Sequence, residues 1–377
     1  MLPLLSTLAG HVAQRTALAR LLTVGRPAHA LLFEGPVGVG KATLAGAVAA
    51  TLACLRPQGP DSPHPGDACG DCRSCVAMGR GEHPDVARVE AQGRTIKIDQ
   101  VRALTPRLRY EPVLGRHKVV LLLEADRLGE EAANALLKTL EEPPSRTHFL
   151  LVTSRPQLLL DTIRSRCQTL RFGPLAAEEI SVVLAAEAAQ RGQALDPALL
   201  RLGAALGDGS ISAARLRADP AWHPVVTAVV DAVVHLGLRP VGHEVGQVEL
   251  LAALIPAAPA PQASATGDAD GDTSPKPSGA SKGKGMDRER LLVCLDLLRA
   301  VLRDAVLIGA GIDARSLPHA PWAEALQALA QRVGVEPLAS AIDELERTET
   351  ESVYNPSPQL ALEATLAAMA RHARAGR

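Results

Sequence analysis

A glycine-rich phosphate loop and a cluster of cysteines follow one another near the start of this chain. The loop reads Gly-Pro-Val-Gly-Val-Gly-Lys over residues 35–41, and cysteines recur at two-residue gaps over residues 69–75, with another cysteine upstream at position 54. A phosphate loop requires a strand before it and a helix after it. The apolar run 30–34 and the alanine-rich stretch 42–54 meet that requirement. We therefore expect a nucleotide-binding α/β fold that also accommodates a cysteine knuckle.

The rest of the N-terminal region continues the alternation of strands and helices. Strand-like runs at 118–123, 148–153 and 168–172 are separated by helical segments. Strands that alternate with helices favour a parallel sheet with helices on both faces. The sequence therefore predicts a parallel-sheet nucleotide-binding core over residues 1–173, with the cysteine module at 54–75 embedded in it.

Strand signals stop at Pro174, and the remaining sequence is helical. Short helical segments broken by glycine and proline predict a small helical lid over residues 174–219. Longer helical stretches predict an all-α collar domain over residues 220–377. Within it, residues 256–285 are dominated by Ala, Pro, Gly, Ser, Asp and Lys, a composition that buries too little apolar surface to order itself. We expect a disordered insertion in a loop of the all-α domain.

The composition excludes two kinds of nucleic-acid-binding surface. The net charge is -1 over 377 residues and only 2% of residues are aromatic, so the chain has neither a global basic field nor a platform of base-stacking rings. The sequence also lacks an apolar stretch long enough to span a membrane. Its crowded cysteines are typical of reduced thiolates. We expect a soluble cytoplasmic protein without membrane association.

The phosphate loop carries residues that can hold a nucleotide. The glycines of such a loop let backbone N–H groups surround the phosphates, and the lysine reaches the terminal phosphates. We expect the loop to bind ATP or ADP without hydrolysing it; a relic turn that binds neither is the alternative. The candidate nucleotide-binding residues at the loop and the helix start are Gly35, Gly38, Gly40, Lys41, Ala42 and Thr43.

Two magnesium ligands of an active phosphate loop are missing. Ala42 follows the lysine where a hydroxyl normally binds the metal ion, and Thr43 is one position too far around the helix. Leu123 stands where a metal-holding aspartate normally ends the strand. A shifted register in which Glu124 or Asp126 holds the metal is the alternative. We expect negligible ATPase activity from the isolated chain.

The cysteine cluster has the spacing of a structural zinc site. Cys69, Cys72 and Cys75 can surround one ion through tight turns, and Cys54 supplies the fourth thiolate if the proline- and glycine-rich segment between them loops back. His64 is the competing fourth ligand. Four thiolates leave no open position on the ion, so the zinc is expected to be structural rather than catalytic.

Several further motifs are shared with one family of proteins. They are the segments at 26–33 and 162–167, His-Pro-Asp at 83–85, the run Asn-Ala-Leu-Leu-Lys-Thr-Leu-Glu-Glu-Pro-Pro at 134–144, and residues 355–363 near the C-terminus. Together with the phosphate loop and the cysteine knuckle they resemble the delta prime subunits of bacterial DNA polymerase III clamp loaders, which are AAA+ relatives of the gamma and tau subunits. The resemblance spans nearly the whole chain.

The resemblance implies roles for individual residues. In the family, the arginine of the Ser-Arg-Cys motif projects into the nucleotide site of the neighbouring subunit, which assigns an arginine finger in trans to Arg166; Arg164 could share that task. Thr153 occupies the family's sensor position, where a hydroxyl senses a phosphate. Ser212 stands where active relatives carry an arginine. These departures imply a subunit that supplies a finger but does not hydrolyse nucleotide.

The resemblance also implies a function and partners. We expect a non-catalytic, stator-like subunit of the clamp loader, which loads the sliding clamp onto primed DNA in replication. Its expected partners are gamma or tau and delta subunits in a hetero-pentamer, with the sliding clamp and with primed DNA inside the assembled ring. An ATP-hydrolysing motor subunit of the gamma or tau type is the alternative, favoured by Lys41 and the intact glycines.

A zinc-dependent DNA-binding module is a third hypothesis. It is opposed by Asp67 and Asp71, because acidic side chains beside the knuckle repel phosphates. A modest basic run elsewhere could face DNA in the ring, but a solvated helix face is the favoured interpretation. That run consists of Arg107, Arg109, Arg116 and Lys118.

Overall fold

The computed structural model describes residues 2–24, 27–92, 95–192, 197–219, 222–235, 243–255, 288–314, 317–351 and 357–375. These residues form two compact units, Met1–Leu216 and Arg217–Arg377. The insertion expected at 256–285 lies outside the described residues. No helix in the described part of the chain has the length and apolarity to cross a membrane.

The first unit is built on a five-stranded sheet in the order β2-β3-β4-β1-β5, with all pairings parallel. This confirms the expected parallel α/β core. Strand β1 lies between β4 and the edge strand β5, so the loop that follows β1 emerges from an interior strand of the sheet. The strands are β1 Ala30–Glu34, β2 Val86–Val89, β3 Lys118–Leu122, β4 Thr147–Thr153 and β5 Gln168–Arg171.

Helices cover both faces of this sheet because β1 is apolar on both sides. Leu31 and Phe33 pack into the cluster that contains residues of the helix after the phosphate loop, while Leu32 packs into the cluster on the opposite face. The helices of the unit are α1 Val12–Thr23, α2 Lys41–Ala53, α3 Arg73–Arg80, α4 Ile98–Arg102, α5 Leu104–Leu108, α6 Glu130–Glu141, α7 Asp161–Arg164, α8 Ala177–Gln190, α9 Pro197–Leu206 and α10 Ile211–Arg217.

The second unit contains helices and no strand within its described residues. Its longest helix, α13 (Arg288–Gly309), packs against four other helices of the unit through buried leucines such as Leu295, Leu298 and Leu302. The buried carboxylate of Asp304 on α13 accepts hydrogen bonds from the backbone N–H and Nδ1 of His319, at 3.0 and 2.8 Å. The helices are α11 His223–Val234, α12 His243–Leu254, α13 Arg288–Gly309, α14 Ala323–Val333, α15 Val335–Glu351 and α16 Pro358–Ala375.

Candidate functional site

The phosphate loop connects β1 to α2 and depends on glycines with positive φ angles. Gly35, Gly38 and Gly40 have φ values of 150°, 81° and 97°. A Cβ atom on Gly35 would lie 2.2 Å from the carbonyl oxygen of Phe172, and one on Gly38 would lie 2.0 Å from Oγ of Ser210. The loop therefore packs closely against its neighbours, and only glycine fits at these two positions.

The lysine of the loop bonds to the loop itself. Nζ of Lys41 donates to the carbonyl oxygen of Gly35 at 2.6 Å and also to that of Pro36. Burial lowers the pKa of Lys41 to about 8, against the opposing attraction of Asp126. The next side chain, Ala42, has no oxygen to offer a metal ion. The ammonium is thus held by the backbone carbonyls of its own loop.

The start of α10 also lies against the phosphate loop. The backbone N–H groups of Ile211 and Ser212 both donate to the carbonyl oxygen of Gly38, at 2.9 and 3.4 Å. Oγ of Ser210 accepts a hydrogen bond from the N–H of Ala213 at 3.3 Å. N–H groups at a helix start are ordinarily available to an anion, and here two of them are bonded to the loop.

The carboxylate beyond β3 is fully engaged by neighbouring side chains. Oδ1 of Asp126 accepts from the Thr153 hydroxyl at 2.8 Å, and Oδ2 accepts from Nε and Nη2 of Arg155 at 3.0 and 2.9 Å. Burial alone would raise the pKa of Asp126, but the hydrogen bonds from Thr153 and Arg155 lower it. Leu123, after the end of the strand, is buried. The Thr153 hydroxyl, expected to sense a phosphate, instead donates to Asp126.

The expected finger, Arg166, lies just after α7 and is held at two atoms. Nη2 donates to Oε1 of Glu141 at 2.7 Å, and Nη1 donates to the carbonyl oxygen of Thr162 at 2.9 Å. Its side chain is 35% exposed. The nearby Arg164 pairs with Asp161 at 3.2 Å. Arg166 thus has a defined orientation and remains accessible.

The four cysteines of the knuckle converge on one point. The Sγ atoms of Cys54, Cys69, Cys72 and Cys75 all lie within 4.8 Å of one another. Cys54 is 3.5 Å from both Cys69 and Cys75 and 3.9 Å from Cys72. A tetrahedral ion with Zn–S bonds of about 2.3 Å sets its sulfurs about 3.8 Å apart. The spacing fits zinc, whereas His64 is exposed and lies outside this group.

Backbone N–H groups donate hydrogen bonds to two of the knuckle's sulfurs, both at helix ends, although burial raises the pKa of Cys69 and Cys75. Cys54 is the C-terminal cap of α2, and its sulfur accepts a hydrogen bond from the N–H of Cys69 at 3.3 Å. Cys72 is the N-terminal cap of α3 and accepts from the N–H of Cys75 at 3.4 Å. Burial raises the pKa of Cys72, but N–H groups of Cys75 and Leu55 lower it to about 6 overall. Two helix ends therefore position the donor set.

The His-Pro-Asp motif has a structural role that the sequence did not indicate. Oγ of Ser74 lies 2.8 Å from both the carbonyl oxygen of Ala53 and Nε2 of His83. Nδ1 of His83 accepts from the N–H of Asp85 at 3.1 Å. The Asp85 carboxylate accepts from the backbone N–H groups of residues 113–115. This chain of hydrogen bonds ties the knuckle to the turn before β3.

The basic run before β3 does not form one surface. Arg107, Arg109 and Arg116 are exposed. Lys118 is buried, and its ammonium donates to the carbonyl oxygen of Arg107. Lys118 therefore does not belong to a solvated basic face.

Comparison with known proteins relates the N-terminal region to replication proteins. Residues 10–176 match a family model described as "DNA polymerase III, delta subunit". The chain is 43% identical to DNA polymerase III subunit delta′ of Escherichia coli over 152 residues, which is 40% of this chain and 44% of that protein. It is 41% identical to subunit tau/gamma of Haemophilus influenzae over 197 residues, 52% of this chain and 28% of that protein.

The chain thus spans less than half the length of the curated relatives it matches. A solved structure of a DNA polymerase III gamma subunit-related protein from Thermotoga maritima aligns with 95% of this chain and 99% of its own, at 15% identity and a TM-score of 0.45. The region that the family model matches, residues 10–176, contains the sheet, the phosphate loop and the cysteine knuckle. Over residues 10–176, the chain therefore matches a DNA polymerase III subunit family, and the proteins similar to it include delta′ and tau/gamma subunits.

Proposed function

We propose that this chain is a non-catalytic, stator-like subunit of a DNA polymerase III clamp loader. It supplies Arg166 as an arginine finger to nucleotide bound by a neighbouring ATPase subunit while the sliding clamp is loaded onto primed DNA. The observation that carries this proposal is the engagement of Asp126, whose two carboxylate oxygens are bonded to Thr153 and Arg155. A carboxylate so occupied is a poor ligand for a catalytic metal ion.

The chemistry of phosphoryl transfer explains why that observation matters. Phosphate-loop enzymes hold Mg²⁺ through a hydroxyl beside the lysine and a carboxylate at the end of a strand, and Mg²⁺ demands near-ideal octahedral oxygen geometry. Ala42 and Leu123 supply no oxygen from their side chains. For Asp126 to serve instead, it would have to give up hydrogen bonds to a hydroxyl and a guanidinium. The site can hold ATP or ADP in its glycine loop without completing the reaction.

The proposed finger depends on the properties of guanidinium. The group is permanently charged and planar and can make two parallel hydrogen bonds to a phosphate. Such a contact stabilises charge that spreads over the transferred phosphoryl group. Arg166 is accessible and held in one orientation, as a group that acts on another subunit must be.

The proposed subunit assembles with gamma or tau and delta subunits in a hetero-pentamer, together with the sliding clamp and primed DNA, in the cytoplasm. In this proposal residues 1–173 form the AAA+ domain, residues 174–219 the lid and residues 220–377 the collar.

The cysteine knuckle is proposed to hold one structural zinc ion. The ion would cross-link the C-terminal end of α2 to the N-terminal end of α3, and four thiolate ligands would leave it no open coordination position.

A second candidate function is the ATP-hydrolysing motor subunit. It is favoured by the tau/gamma relative, which aligns over 197 residues against 152 for the E. coli delta′ relative, and by the retained Lys41. Measuring ATP hydrolysis by the purified chain with Mg²⁺ separates the two candidates. We expect no turnover above background in the wild type or in Lys41→Ala. Turnover that Lys41→Ala abolishes would establish the motor function instead.

A further inference from the structure

The two contacts of Arg166 come from elements that share one core. Glu141 is the last residue of α6, whose Leu140 is buried, and Thr162 lies on α7 beside the buried Ile163. Leu140 and Ile163 belong to the same hydrophobic cluster under the sheet. The carboxylate and the carbonyl that hold the guanidinium therefore stand on anchored backbone, so their separation is set by the fold.

The pair between Arg166 and Glu141 is suited to orientation more than to stability. The side chains are 35% and 49% exposed, and exposed ion pairs contribute on the order of 0–1 kcal/mol to folding. Two hydrogen bonds from different nitrogens nevertheless fix the plane of a guanidinium. Since arginine has five N–H donors, a group held in this way keeps donors for a phosphate.

We propose that Glu141 is a positioning residue for the finger: its carboxylate orients the guanidinium of Arg166 toward a terminal phosphate on the neighbouring subunit. This inference rests on the proposed function. Glu141 does not touch the nucleotide and acts through Arg166. Without it, the long side chain of Arg166 samples other rotamers and must be ordered each time it engages the phosphate, which lowers the rate of hydrolysis.

The chain offers a matched control beside Glu141. Glu142 is the next residue and is also exposed, and its side chain has no hydrogen bond or ion pair within the described part of the chain. Glu142→Gln removes the same charge at nearly the same place. A difference between Glu141→Gln and Glu142→Gln thus reports the contact with Arg166 rather than the local electrostatic field.

The test measures clamp- and DNA-dependent ATPase kinetics of the fully assembled loader containing each variant. Glu141→Gln keeps an oxygen that can accept from Arg166 but removes the charge that strengthens this hydrogen bond. It should lower kcat by about 2- to 10-fold, the size expected for ordering one long side chain, with KM for ATP unchanged. Glu142→Gln should match the wild type. In an Arg166→Ala background, Glu141→Gln should have no further effect, because the group through which it acts is gone.

The outcomes separate this inference from the proposed function. If Arg166→Ala itself leaves kcat unchanged, the proposed function fails. If Arg166→Ala lowers kcat but Glu141→Gln behaves like Glu142→Gln, only the positioning role is overturned. A rise in kcat with Glu141→Gln would also overturn it, because the carboxylate would then be restraining the finger. The thermal unfolding midpoint of each variant is also measured. If Glu141→Gln and Glu142→Gln unfold at the same temperature but differ in kcat, Glu141 positions the finger and does not merely stabilise the fold.

Discussion

The phosphate loop and the cysteine knuckle are joined by helix α2, yet their polar groups are arranged in opposite ways. In the loop, the donors and acceptors are bonded to one another: Lys41 to the loop's carbonyls, the start of α10 to Gly38, and Asp126 to its neighbours. In the knuckle, four sulfurs converge on a single point. A donor set that converges needs a ligand to complete it, whereas one that is satisfied internally does not.

The largest expected effect tests the knuckle. Cys72→Ser keeps an oxygen that can cap α3 but removes a thiolate ligand. We expect zinc content to fall from one ion per chain to near zero and the knuckle to unfold, because structural zinc sites in small peptides contribute on the order of 10 kcal/mol to folding. Zinc content is measured by atomic absorption, and the rate of proteolytic cleavage within residues 54–75 shows whether this segment is folded.

Cys167→Ala is the control for that experiment. Cys167 lies outside the cluster and is half-buried, so this variant should retain its zinc. If Cys72→Ser keeps one zinc ion per chain, or if Cys167→Ala loses its zinc, the four converging sulfurs are not the zinc site.

A smaller expected effect tests how tightly the phosphate loop packs against the start of α10. Gly38→Ala forces a side chain into a φ of 81° and into contact with Oγ of Ser210. We expect the free energy of unfolding to fall by about 1–3 kcal/mol, measured by urea denaturation. Gly59→Ala is the control, because a Cβ there has no neighbour within 4 Å. Equal stability of the two variants would mean that α10 does not rest on the loop.

The smallest expected effect tests the hydrogen bond that the Asp126 carboxylate accepts from Thr153. Thr153→Val preserves shape but removes the hydroxyl that donates to Asp126. A buried acceptor that loses one partner costs about 1–2 kcal/mol. Thr169→Val, at an exposed position of strand β5 in the same sheet, should change stability by less than about 0.5 kcal/mol. If Thr153→Val and Thr169→Val have equal stability, the hydrogen bond from Thr153 to Asp126 does not stabilise the site.

Local patterns in the sequence predict much of this structure. The run 30–34 coincides with β1, and the glycines that follow place Lys41 at the start of α2. Cys54 joins the other three sulfurs because the chain returns to the end of α2 after a short excursion. By contrast, β2 is missed, since its four residues are largely exposed or half-buried and carry no strong pattern.

The pairs that define the functional site are beyond such patterns. Arg155 reaches Asp126 across 29 residues, and Arg166 reaches Glu141 across 25. Each pair depends on which strands are neighbours in the sheet and on where their loops end, and neither is visible in residue spacing. The motif 134–144 does contain Glu141, but it marks the family and does not reveal the contact.

Two variants in the assembled loader decide whether this chain acts on its neighbour's nucleotide or on its own. ATP hydrolysis with clamp and primed DNA is measured for Lys41→Ala and Arg166→Ala against the wild type. If the chain serves its neighbour's nucleotide and not its own, Arg166→Ala should lower hydrolysis at the site it serves by about tenfold or more, while Lys41→Ala leaves the rate unchanged. A loss of hydrolysis with Lys41→Ala and none with Arg166→Ala would contradict the account.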